Sequence, residues 1–99
     1  MTTEILVIGR HEEIMQTLLR LINKNSQWNA TIALSDEEAM HLFDSRHFHL
    51  VLLSGGIEPH AEQLLRTHFK SQDPSVIIIQ HFGGGSGLLT NEIRQALNG

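Results

Sequence analysis

Phe48-His49-Leu50-Val51-Leu52-Leu53-Ser54-Gly55-Gly56 is the stretch that decides the fold. Leu50 to Leu53 are aliphatic without interruption, so this run has no polar face and reads as a strand covered on both sides. It stops at a small hydroxyl and two glycines, where the chain turns. In open parallel sheets the ligand crevice lies outside the carboxyl ends of the strands, so Ser54 stands where such a protein keeps its reactive group.

Working outward, Ile5-Leu6-Val7-Ile8 and Val76-Ile77-Ile78-Ile79 repeat the continuous apolar pattern. Thr31-Ile32-Ala33-Leu34 is shorter and less apolar, which suits an edge strand, with Trp28 before it as a partly buried lid. Helical spacing fills the gaps. Residues 12 to 23 place Ile14, Leu18, Leu21 and Ile22 on one face, with Glu12 and Glu13 at the positive end of the dipole. Ser35-Asp36-Glu37-Glu38 is a capping box, followed by Ala39, Leu42 and Phe43 as the inward stripe. Pro59 suits a first helical position, and Ala61, Leu64, Leu65 and His68 repeat until Asp73-Pro74 resets the chain. Gly83-Gly84-Gly85-Ser86-Gly87 opens a last helix that turns Leu89, Ile93, Ala96 and Leu97 inward.

These are four strand–helix units. A helix of about 12 residues is about 18 Å long and matches a strand of about 17–20 Å, so the units stack as layers. Right-handed crossovers favour a four-stranded parallel sheet of order 2-1-3-4 inside a three-layer α/β/α sandwich. Strands 1 and 3 are then central, and their mouths after Ile8 and Leu53 lie side by side. Residues 1–99 read as one domain, since a chain of this length supports one modest core.

Composition narrows the function. Cysteine is absent, which removes disulfides, thiolate metal sites and Cys nucleophiles and suits a reducing compartment. No apolar run approaches the length of a membrane span, and no basic leader precedes Ile5, so the expected location is the cytoplasm, with no membrane partner. The net charge is −4 and the basic residues are scattered, which argues against nucleic acid. Protonating the seven histidines would carry the formal charge from −4 to +3, so solubility and self-association are expected to change in mild acid.

In its βα succession, in Ile5-Leu6-Val7-Ile8, in the Ser35-to-Phe43 second helix and in the Phe48-to-Leu53 third strand, the chain resembles the receiver domain of bacterial response regulators, a flavodoxin-like fold. That family carries two acidic residues after strand 1, a phospho-accepting Asp ending strand 3, a Ser or Thr ending strand 4 and a Lys ending strand 5. Here Gly9-Arg10-His11 follows strand 1, Ser54 ends strand 3, and Gln80-His81 ends strand 4; no fifth strand with its Lys is found. A Mg²⁺ site needs carboxylate oxygens and an acyl phosphate needs a carboxylate nucleophile, so both are lost together. Arg10, His11, Ser54 and Gln80 therefore form a vacated receiver pocket. The resemblance implies a non-phosphorylatable signalling or docking module in a two-component setting, not an enzyme, with no cofactor.

Being one βα unit short would leave strand 4 as an unpaired edge, a hazard that proteins cover. A second copy is the simplest cover. The expected homodimer interface is Val76, Ile77, Ile78, Ile79, His81 and Phe82, and another signalling protein is the other class of partner. A rival reading makes the chain a small metal- or anion-binding protein that uses the histidine-bearing carboxyl rim. His11, His60 and His81 are its metal candidates, without a recognised ligand spacing. Gly84, Gly85 and Ser86 are candidates for holding an anion on backbone N–H groups, against the plainer role of a hinge and helix cap. Arg10 and His11 beside Ser54 could draw an anion to the mouth, although a hydrolytic triad would need hydrogen-bond geometry that spacing does not supply.

Overall fold

The computed structural model describes residues 2–81 and 86–98. In chain order the elements are β1 (Thr3–Ile8), α1 (Glu12–Asn23), β2 (Trp28–Ala33), α2 (Asp36–Ser45), β3 (Leu50–Leu53), α3 (Pro59–Gln72), β4 (Ile77–Gln80) and α4 (Ser86–Asn98). The strands form one parallel sheet in the order β2-β1-β3-β4, as the sequence predicts. Ile8 pairs with both Ala33 and Leu53, so the carboxyl ends of β1, β2 and β3 are level.

The continuous apolar runs are covered on both sides. Ile5, Val7, Leu50 and Leu52 face a core completed by Met15, Leu18 and Ile22 of α1 and by Leu89 and Ile93 of α4. Leu6, Ile8, Val51 and Leu53 face the opposite core, with Ala39 and Phe43 of α2 and Leu65 and Phe69 of α3. The distribution of helices follows from handedness. The chain steps one way from β1 to β2 and the other way through β3 to β4, so α1 takes one face while α2 and α3 take the other. α1 alone leaves the β3–β4 half of its face bare, and α4 covers it against Ile77 and Ile79. Each large aliphatic or aromatic side chain so buried contributes about 1.5–3 kcal/mol relative to exposure.

The start of α2 is a capping box with one shift. Glu38 N–H donates to Ser35 Oγ at 3.1 Å, but the Glu38 carboxylate returns to Leu34 N–H at 2.8 Å rather than to Ser35. Pro59 occupies the first turn of α3 as predicted.

Several expectations are corrected. β2 begins at Trp28 and ends at Ala33, so Trp28 is a buried strand residue, 8% exposed, rather than a lid before a strand starting at Thr31. β4 comprises Ile77–Gln80, with buried Val76 preceding it. Ile14 is 52% exposed and Met15 takes its place in the core, while Leu64 is equally exposed and Phe69 completes the α3 stripe. The expectations for Phe82, Gly84 and Gly85 lie outside the described residues, as does the Ser86 side chain.

Candidate functional site: the carboxyl rim of the sheet

Three loop starts meet at the mouth. Ser54 N–H donates to Ile8 O at 2.8 Å, Gly9 N–H to Ala33 O at 3.1 Å and His81 N–H to Leu53 O at 2.8 Å, so ladder bonding continues one residue past each strand and fixes the rim. Gly9 is required there, since a Cβ on it would lie 2.5 Å from Met15 Sδ and 3.1 Å from Ser54 Cβ. The crevice between β1 and β3 is therefore filled by Met15 and the Ser54 side chain. Gly56 has φ 89°, a left-handed conformation, and the His11 ring lies over it, 3.6 Å from where a Cβ would stand.

The polar residues of the rim are paired off rather than gathered. Arg10 leaves the mouth for the start of α2, where its Nη2 donates to Asp36 Oδ1 at 2.5 Å and its Nη1 to Leu34 O at 3.5 Å. Gln80 Nε2 donates to Glu62 Oε1 at 3.3 Å, and the other oxygen of Glu62 receives Arg66 Nε at 2.8 Å. His81 is buried with its Nδ1 2.7 Å from Glu92 Oε1. Asp36, Glu62 and Glu92 are thus each matched by a basic or amide group.

This limits the chemistry. A divalent cation needs several oxygen ligands around one point. Among the described residues no three His, Asp or Glu side chains converge to hold a metal, so His11, His60 and His81 are not drawn into a common site. Ser54 is buried, and among the described residues no base is hydrogen-bonded to its hydroxyl to activate it. Arg10 is engaged with Asp36 rather than aimed at Ser54. Asp36, Glu62 and Glu92, which decide how the rim is charged, are absent from the sequence-predicted site; they lie 26, 18 and 11 residues from their partners, and no local spacing announces them.

No family model matches the sequence, and no curated protein matches it. Solved structures do. The chain is similar to the signal receiver domain of an HD domain-containing protein from Pseudomonas fluorescens at 21% identity, with a TM-score of 0.81 over 99% of this chain and 96% of that one. It is similar to a response regulator receiver protein from Pseudomonas putida at 15% identity, TM-score 0.68, over 97% of this chain and 80% of that one. A third similar structure is the receiver domain of a Saccharomyces cerevisiae response regulator, co-crystallised with its histidine phosphotransfer signalling protein, at 16% identity and TM-score 0.63 over 88% of this chain and 68% of that one. The fold is that of a receiver domain. No helix among the described residues is long and apolar enough to cross a membrane.

Proposed function

We propose that the chain is a receiver-like signalling or docking module that does not undergo aspartyl phosphotransfer and acts through protein–protein contacts, as a homodimer in the cytoplasm. The observation that carries this reading is the open edge of β4. β4 pairs with β3 on one side, and among the described residues no strand pairs with the other. All four residues of β4 are half-buried, unlike the fully buried β3. Val76 and His81 are buried within the chain, so the surface offered to a partner is the Ile77–Gln80 edge.

The backbone supplies the means. Ile77 N–H donates to His49 O, just before β3, and His81 N–H to Leu53 O at its end, and strand alternation therefore turns the N–H groups of Ile78 and Gln80 outward. A strand from a second copy can add to those groups, which closes the edge and shields its aliphatic side chains. The filled mouth supports the same reading, because Ser54 replaces a carboxylate and Arg10 lies where an acidic residue would be needed. Another signalling protein presenting an extended segment is the second class of partner.

The test is the solution mass by light scattering of the chain and of Gln80→Pro, which removes an outward N–H while leaving the β3 ladder intact. The reading requires a dimer of the 11.1 kDa chain that Gln80→Pro converts to a monomer. A monomeric parent chain at micromolar concentration contradicts it.

A further inference from the structure

We propose that the groove between the end of α1 and the middle of α4 is a binding site for a small polyanion. The groove encloses about 440 Å³ and is lined by Leu21, Lys24, Asn25, Trp28, Thr90 and Arg94. It lies off the carboxyl rim, beside Trp28 at the start of β2.

The charges single it out. Of the seven lysine and arginine residues, five are engaged: Arg10 by Asp36, Arg20 by Thr17, Arg46 by Thr31, Arg66 by Glu62 and Lys70 by the Val76 carbonyl. The side chains of the remaining two, Lys24 and Arg94, have no hydrogen bond or ion pair among the described residues, and both residues line this groove. Arg94 is held with its guanidinium 5.9 Å from the centre of the Trp28 ring, an orientation fixed by an aromatic face rather than by a counter-charge. Asn25 adds a third donor. Its Oδ1 accepts from Gln27 N–H at 2.9 Å, which leaves the amide nitrogen without a partner among the described residues.

Lys24, Arg94 and Asn25 thus line one groove that no described carboxylate lines, in a chain whose net charge is −4. Lys24 at the C-cap of α1 also complements the helix dipole. That role does not extend to Arg94, which lies before the last turn of α4, or to Asn25. A bidentate guanidinium beside a mobile ammonium suits phosphate or carboxylate oxygens on a ligand bearing more than one negative charge.

The chain carries one tryptophan, so Trp28 fluorescence reports on this groove directly. The experiment titrates the chain with pyrophosphate and, separately, with citrate at constant ionic strength, following Trp28 emission and backbone amide shifts. A saturable response is expected, with shifts gathered around Lys24, Asn25, Trp28 and Arg94. Lys24→Gln and Arg94→Gln should each weaken it about fivefold or more, as loss of a charge-assisted hydrogen bond implies. A stronger response to pyrophosphate identifies a phosphate-bearing ligand, and a stronger response to citrate a polycarboxylate; either supports the site. Absence of saturation with both anions, or a response undiminished in the folded variants, overturns it. Should a variant fail to fold, the shift map of the parent chain decides, and shifts scattered over Arg10, Arg46 and Arg66 instead would refute the assignment.

Discussion

Arg10 Nη2 lies 2.5 Å from Asp36 Oδ1, tying the loop after β1 to the first turn of α2 across the end of β2. This pair holds the guanidinium at the start of α2, away from Ser54. Its chemistry is opposite to that of a cation-binding rim, where neighbouring carboxylates must stay unmatched until a metal arrives.

Both partners are about one-third exposed, so solvent screens the pair and its energetic weight is small. A double-mutant cycle of Arg10→Met and Asp36→Asn should give a coupling of about 0.2–1 kcal/mol by urea denaturation. A coupling of several kcal/mol would show that the pair is far better shielded than its exposure indicates.

Gly9→Ala should destabilise the chain by about 1–3 kcal/mol, because the new methyl group meets Met15 Sδ and the Ser54 side chain at once. The Met15 thioether can move, but Ser54 Cβ is carried by the backbone at the end of β3. Equal unfolding midpoints for the two proteins would mean that the mouth is roomier than the packing described here.

Leu64→Ala and Phe69→Ala separate the two faces of α3. Leu64 is 52% exposed and its truncation should change stability by no more than about 0.5 kcal/mol, as for an ordinary surface position. Phe69 is fully buried with its ring centroid 4.5 Å from that of Phe43, and its truncation should cost about 3–5 kcal/mol. The reverse ranking in a denaturant series would place the wrong stripe in the core.

Asp73 supplies the acid limb. Its carboxylate accepts from the Ser75 hydroxyl at 2.7 Å and from Ser75 N–H at 3.0 Å. These bonds hold its pKa below the usual 3.8, with His47 and Lys70 adding smaller contributions in the same direction. A carboxyl with a lowered folded-state pKa contributes stability above its unfolded value and loses it as the pH falls through the folded one. Ser75→Ala removes the hydroxyl donor first in importance and keeps the backbone donor. The Asp73 carboxyl carbon, followed by NMR, should titrate below 3.8 in the parent chain and move upward toward that value in Ser75→Ala. An unshifted titration would remove Ser75 as the cause.

The proposed function holds that this chain does not form an acyl phosphate. Incubation with acetyl phosphate and Mg²⁺ should therefore leave the mass of the intact chain unchanged. A covalent phosphate adduct would contradict the loss of phosphotransfer.

The sheet was legible because Leu50–Leu53 and its companions have no polar face, and the helix boundaries because Ser35, Glu38 and Pro59 are local signals. The phase of two helices was not. Ile14 and Met15 fit the Leu18–Ile22 stripe equally well, at spacings of four and three residues, and the tie is broken by Gly9, whose missing side chain admits Met15 Sδ. Leu64 and Phe69 pose the same choice on α3, settled by the aromatic contact with Phe43. The residues that make up the mouth, Ser54 and Gly9-Arg10-His11, could be read from the sequence. The pairings that now occupy the rim could not, since Arg10–Asp36, Gln80–Glu62 and His81–Glu92 form only once β2, α3 and α4 have docked.

The open edge of β4 is the centre of this account, and amide hydrogen exchange at Ile78 and Gln80 tests it most directly. The outward N–H groups of these two residues should be protected at concentrations where the chain is paired and should exchange rapidly on dilution, while the inward N–H of Ile77 stays protected throughout. Rapid exchange at Ile78 and Gln80 at every concentration, beside a protected Ile77, would show that no second strand ever covers the edge.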